Sequence, residues 1–167
     1  MTQGAPTLPA GWIECLISDL YSPLADGRIL HHGWSPQCEK EPSPSEETWG
    51  VLKTTAIQSG HFVPQQNKRL PEEMVARPAL EVRVGDIIIT CAGPRGRCGV
   101  ACFVRSTRKR LMISGKMYRF RVPETHIEPR YIEAFLRTDT AQAAIDGMKT
   151  GISDSGLNLT HDRFGRL

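Results

Sequence analysis

Between Val82 and Val122 apolar residues come in short β-branched runs broken by glycine, proline and arginine, whereas after Pro129 they recur three and four positions apart. The first pattern predicts strands and the second predicts helices. Three strands are expected, over 82–91, 98–105 and 111–122, joined by the turn sequences "AGPRGR" and "STRKR". The run Ile87, Ile88, Ile89 leaves no polar face, which predicts a strand buried on both sides. In 111–122 the period of two sets Met117, Arg119 and Arg121 on one face and Tyr118, Phe120 and Val122 on the other. One face is therefore expected to be core and the other cationic.

The helical spacing falls within 130–149. Tyr131, Ile132, Phe135 and Leu136 form one short stripe, and Ala141, Ala144, Ile145 and Met148 form a second behind a cap at Thr138 or Asp139. Earlier in the chain, "GWIECLISDLYS" carries Trp12, Ile13, Leu16, Ile17 and Leu20 and is expected to be a strand. Residues 35–48 are rich in Pro, Ser and Glu and read as an exposed loop. "WGVLKTTAIQSGHFV" predicts two short strands, or a strand and a turn, and "LPEEMVAR" a helical turn with Pro71 at its first position. "GISDSGLNLT" reads as a polar loop feeding a final short element. No repeat period of the kind that marks solenoids or propellers recurs. The expected class is α/β (α+β): one domain over 1–167, with a curved mixed or antiparallel sheet and flanking short helices.

A chain of 167 residues with 40% apolar content suits one globular domain, able to bury about two-thirds of its unfolded surface. "MTQGAPTLPAGW" lacks a basic start and an apolar run, and no stretch approaches the roughly 20 apolar residues of a membrane span. A cytoplasmic location without a membrane partner is expected. Cys15, Cys38, Cys91, Cys98 and Cys102 are an odd set, which favours reduced thiols over a disulfide framework. The spacing of Cys91, Cys98 and Cys102 raises a metal site, yet it lacks a close cysteine pair and a histidine at ligand spacing. Small apolar strand residues are the expected reading, with no metal.

The formal charge is +3, but it is unevenly placed. Residues 1–82 hold 6 basic and 10 acidic side chains, a net of −4, and residues 83–167 hold 15 and 8, a net of +7. Between Asp86 and Glu124 there is no acidic residue, while Arg95, Arg97, Arg105, Arg108, Lys109, Arg110, Lys116, Arg119 and Arg121 all fall in that interval. A one-sign block of this kind attracts a polyanion such as nucleic acid. The alternative is a solvated face whose charges pair with the acidic N-terminal half. These nine residues are the candidate nucleic-acid contacts.

Catalytic motifs are missing. There is no P-loop, dinucleotide fingerprint, nucleophile elbow, metalloprotease histidine pair or amino-methyltransferase motif. His31 and His32 lie in a loop-like stretch, His61, His126 and His161 are scattered, and the pairs Glu46–Glu47 and Glu72–Glu73 sit in polar segments. The residues present argue for a binding protein rather than an enzyme.

The ordered series "LPAGW", "ISDL", "WGVLKTTAIQSGHF", "EVRVGDIIITCAG", "SGKMYRFRV", "EPRYIEAFL" and "GISDSGLNLT" resembles the target recognition domain of Type I restriction-modification specificity subunits over about residues 8–167. The order of the motifs carries the resemblance, since GDI-type strands also occur in small PUA-like barrels. What it implies is a non-catalytic reader of double-stranded DNA. Each specificity subunit of that family carries two such domains joined by long helices, and each domain reads half of a split site. Modification subunits bring S-adenosylmethionine and methylate adenine, and a restriction subunit translocates and cuts. S-adenosylmethionine, ATP and Mg would belong to those partners, with no cofactor in this chain.

Against that pattern the chain shows one domain and ends at "HDRFGRL", where the family continues into a spacer helix. A fragment, a half-sized subunit and a stand-alone relative are all compatible with it. Two other classes stay open: a PUA-like module binding RNA or a modified base, and a protein-interaction domain of a defence complex. In the DNA-reading case, Gly93, Pro94, Gly96 and Gly99 reverse the chain sharply and present Arg95 and Arg97 for phosphate or bidentate guanine contact.

Overall fold

Three consecutive isoleucines deny a strand any solvent face, and in the computed structural model, which describes residues 8–167, Ile87, Ile88 and Ile89 are fully buried. The reading of 1–7 as free of a leader lies outside the described residues. In chain order the strands are β1 (Leu30–His32), β2 (Gly50–Leu52), β3 (Ile57–Gln58), β4 (His61–Phe62), β5 (Asn67–Arg69), β6 (Ile87–Thr90), β7 (Ala92–Gly93), β8 (Ala101–Phe103), β9 (Leu111–Met112) and β10 (Met117–Phe120). Helices α1 (Pro129–Leu136) and α2 (Asp139–Met148), strand β11 (Leu157–Asn158) and helix α3 (His161–Phe164) follow.

The central sheet is antiparallel, in the order β1-β10-β6-β8. A second sheet, β5-β2-β9, pairs β2 antiparallel to β5 and parallel to β9. Period two on β6 assigns each isoleucine to a side. Ile87 and Ile89 share a core with Ile132 and Leu136 of α1, Ile145 of α2 and Phe164 of α3. Ile88 and Met117 share the other core with Val51, Leu52, Leu111 and Met112 of the second sheet. The central sheet is thus sandwiched between a helical layer and a smaller sheet. Burying each isoleucine contributes about 1.5–3 kcal/mol.

The helices begin where the sequence signals them. Glu128 caps α1 with Pro129 in its first turn, and Thr138 accepts the Ala141 N–H at 3.2 Å to start α2. The expected class, a mixed and antiparallel sheet flanked by short helices, is borne out. Among the described residues no helix is long and apolar enough to cross a membrane.

Local expectations fare less evenly. The segment expected as a strand around Trp12–Leu20 is instead a 3-10 helix over Ile17–Leu20, with Trp12, Ile13 and Leu16 exposed. Ile17 is buried in the core and Leu20 packs against it, and the segment is tied to residues far along the chain, the Ile17 and Ser18 N–H groups donating to the carbonyls of Leu167 and Gly165. The expected strand over 111–122 is two, β9 and β10, belonging to different sheets. The break falls at Ser114–Gly115, where the Gly115 N–H donates to the Ser35 hydroxyl at 3.1 Å. The polar stretch after Gly151 contains β11, which pairs with β7 of the glycine-rich hairpin.

Candidate nucleic-acid interface

The tip between β7 and β8 carries Arg95 and Arg97, and both are held from within. Arg95 donates through Nη1 to Asp146 at 2.5 Å and through Nε to Asp154 at 3.0 Å. Those carboxylates, Asp154 foremost, raise its pKa above the usual guanidinium value. Asp146, held first by Lys149, titrates below the ordinary carboxylate range. Arg97 turns inward and donates to the carbonyls of Thr54 and Ile57, the latter at 2.6 Å. It staples the tip to the segment joining β2 and β3.

The next turn repeats the theme. Arg105 pairs with Glu133 of α1, which is 3% exposed and also accepts the Phe103 N–H at 2.7 Å. Burial works against the Glu133 charge, but the Arg105 and Phe103 hydrogen bonds outweigh it and leave its pKa below the ordinary value. Arg108 donates to the carbonyls of Ser45 and Lys109 at 3.0 and 2.9 Å, and burial lowers its pKa. Arg110, with a positive φ of 59°, reaches the Glu47 carbonyl and lies 3.4 Å from the Glu47 carboxylate. Lys109 is exposed.

Arg119 and Arg121 do share a face with Met117, as their spacing requires, but that face is covered. The cationic surface expected there is corrected: Arg119 is 5% exposed and points into a cleft floored by Asp86. It lies 3.5 Å from the Asp86 carboxylate and donates to the carbonyls of Glu81 and Ala79 and to His31. Burial lowers the Arg119 pKa, with Asp86 opposing. Arg121 meets Asp86 at 2.8 Å, and His31 meets Asp26 at 2.8 Å, a hydrogen bond that holds the Asp26 pKa below its usual value. The nine predicted cations therefore do not line one open concave face. The seven arginines are engaged inside the chain, and the paired acids are mostly not those of the N-terminal half: Asp86, Glu133, Asp146 and Asp154 lie after residue 82 and only Glu47 before it.

Lys116 differs. It is exposed and has no side-chain partner among the described residues, and it borders a groove with Lys53 and Lys68, two residues that the charge block did not include. Val51 pairs with Lys68 across the β2–β5 ladder and with Met112 across β2–β9. Lys53 directly follows the end of β2 and Ser114 lies just past the end of β9, and both border the same groove as Lys68. Ser35, Pro36, Cys38, Leu52 and Thr54 complete the lining, which contains no carboxylate. Nearby Glu39 lies 3.5 Å from Arg69. Nothing local in the sequence marks Lys53 and Lys68, because they meet only through the pairing of β2 with β5.

The cysteines behave as apolar residues. Cys91, Cys98 and Cys102 are buried, and burial pushes Cys91 and Cys102 up to about 12. Among the described residues no cluster of three or more His, Cys, Asp or Glu side chains is arranged to hold a metal.

No family model matches the chain. It is 41% identical over 157 residues, 94% of its length, to the Type I restriction enzyme EcoEI specificity subunit of Escherichia coli. It spans 25% of that relative. Its fold is similar to that of the Type-I restriction-modification system S subunit from M. genitalium, with a TM-score of 0.56 at 13% identity, covering 97% of this chain and 35% of that one. The HsdS subunit from Thermoanaerobacter tengcongensis matches with a TM-score of 0.59, also at 13% identity, covering 99% and 34%.

Proposed function

The chain belongs to the family of Type I restriction-modification specificity subunits, and on that premise we propose that it is one target recognition domain, reading one half of a bipartite duplex DNA site. The observation that carries this reading is the identity of 41% sustained over 157 residues, 94% of this chain. The chain matches about a quarter of that relative and about a third of the two S subunits of known structure. Its share of the work is recognition without catalysis. Methyl transfer and cleavage, with S-adenosylmethionine, ATP and Mg, fall to modification and restriction subunits, and the setting is the cytoplasm.

Within that reading the predicted contacts divide by chemistry. Lys109 and Lys116 face solvent and act on phosphate directly. Arg95, Arg97, Arg105, Arg108 and Arg110 fasten the two turns that meet the DNA, Arg121 tightens the cleft beside them, and Arg119 is a strut of the fold. The reading is tested by exchange: the matching segment of the E. coli EcoEI specificity subunit is replaced by this chain, the complex is assembled, and methylated sites are mapped by sequencing. One half of the methylated sequence is expected to change while the other stays. A soluble, assembled chimera that methylates the parental sequence, or none, overturns it.

A further inference from the structure

The charge block pointed to arginines, yet its arginines are spent on internal carboxylates and carbonyls, and among the described residues Lys53, Lys68 and Lys116 are basic side chains without a partner that gather in one concavity free of carboxylates. We propose that this three-lysine groove is a site that grips the phosphodiester backbone of duplex DNA, a proposal that rests on the DNA-reading function and assigns phosphate contact to residues that sequence reading had mostly passed over. Three of the six lysines of the chain converge there. Lys149 is instead bound to Asp146 and the Arg95 carbonyl, and Lys40 and Lys109 stand outside the groove.

The physical case is one of uncompensated charge in a shaped site. The cleft at Asp86 also gathers cations, but Asp26, Glu81 and Asp86 line it too, so its field largely cancels. The lysine groove has no acid in its lining, and the hydroxyls of Ser35, Thr54 and Ser114 add neutral donors beside the ammonium groups. Lysine suits this task, because a compact, mobile ammonium binds phosphate as a point charge at any base sequence. The groove is also braced. Ser35 is fixed to the Gly115 N–H at 3.1 Å, the Trp34 N–H donates to the Ile113 carbonyl at 3.2 Å, and the Lys53 N–H to the Gln66 carbonyl at 2.9 Å. Backbone contacts position a protein on the duplex without reading it. The groove therefore sets register, and base reading falls to groups outside it.

The test uses the 167-residue chain and a short fluorescein-labelled duplex of mixed sequence, titrated by anisotropy across a salt series. Replacing Lys53→Gln, Lys68→Gln and Lys116→Gln should each reduce the slope of log affinity against log salt by about 0.9, and the triple variant by about 2.7. Melting by circular dichroism should be unchanged, since none of the three side chains holds the fold. Lys40→Gln should leave the slope as it was. Cys38 lines the groove, so bound duplex should also protect it from maleimide while exposed Cys15 remains reactive. A folded triple variant with the parental slope, or a Cys38 that DNA does not protect, overturns the groove while the DNA-reading function stands. A parent chain with no salt-dependent duplex binding overturns both.

Discussion

Replacing Asp86 by Asn should be among the most damaging changes available, although the two residues are nearly isosteric. Asp86 is 1% exposed and Arg119 6%, with 3.5 Å between the charged groups. Asn keeps an oxygen for the Arg83 N–H, which Asp86 accepts at 2.7 Å, so that bond, worth about 1 kcal/mol, survives. What is lost is the compensating charge, and leaving a buried partner unpaired costs about 3–5 kcal/mol. Arg119 also donates to two backbone carbonyls, whose dipoles keep part of its charge solvated. Arg121 is a third exposed and adds little. The expected loss is therefore about 3 kcal/mol, or a fall in Tm of roughly 6–12 °C for a domain of this size. Urea unfolding followed by circular dichroism measures it. Adding Arg119→Met should restore at least half of the loss, because the double variant no longer buries an unpaired cation. A loss under about 1 kcal/mol, or a double variant no better than Asp86→Asn alone, would refute the account of the cleft.

Two further predictions test the interior. Glu133 has a folded pKa below its ordinary value, so the unfolded chain binds more protons and this carboxylate stabilises the fold above the ordinary carboxylate range, the contribution vanishing as pH falls through the folded pKa. Glu133→Gln should thus melt below the parent at neutral pH, with the gap narrowing on acidification; a gap constant with pH would contradict the pairing with Arg105. In the native state iodoacetamide should modify Cys15 first, and Cys91 and Cys102, buried and raised to about 12, only after denaturation. Peptide mass spectrometry with and without urea decides it, and native labelling of Cys102 would count against the core described above.

What the sequence disclosed were features with one local physical cause. A run of three isoleucines has no alternative to burial on both faces. Pro129 after Glu128 and Thr138 before Ala141 mark helix starts through groups within three residues of one another. The alternation from Met117 to Val122 assigned faces correctly, but which face is covered depends on the second sheet, whose strands β2, β5 and β9 are two or three residues long and carry no periodic signal of their own. The same limit hid the break at Ser114–Gly115. It also hid the 3-10 helix at Ile17–Leu20, which is shaped by the distant residues Gly165 and Leu167.

The misplacement of the cationic face has a more general cause. Strands of two to four residues leave much of the backbone in loops, and loop carbonyls facing inward need donors. Arginine is suited to supply them, with five donors on a planar fork that spans two acceptors at once. Six of the seven candidate arginines donate to backbone carbonyls: Arg97 to Thr54 and Ile57, Arg105 to Phe103, Arg108 to Ser45, Arg110 to Glu47, Arg119 to Ala79 and Glu81, Arg121 to Val84. Lysine, more strongly hydrated and with a single charged point, is a poorer staple; the Lys149 side chain, which donates to the Arg95 carbonyl, is buried, whereas Lys68, Lys109 and Lys116 are exposed. In a domain of short strands, a block of arginine in the sequence is then a map of loops that need fastening. It follows that Arg97→Lys, which preserves net charge, should loosen the link between the β7–β8 tip and residues 54–57 as alanine does, whereas Lys68→Arg should keep the DNA affinity of the groove.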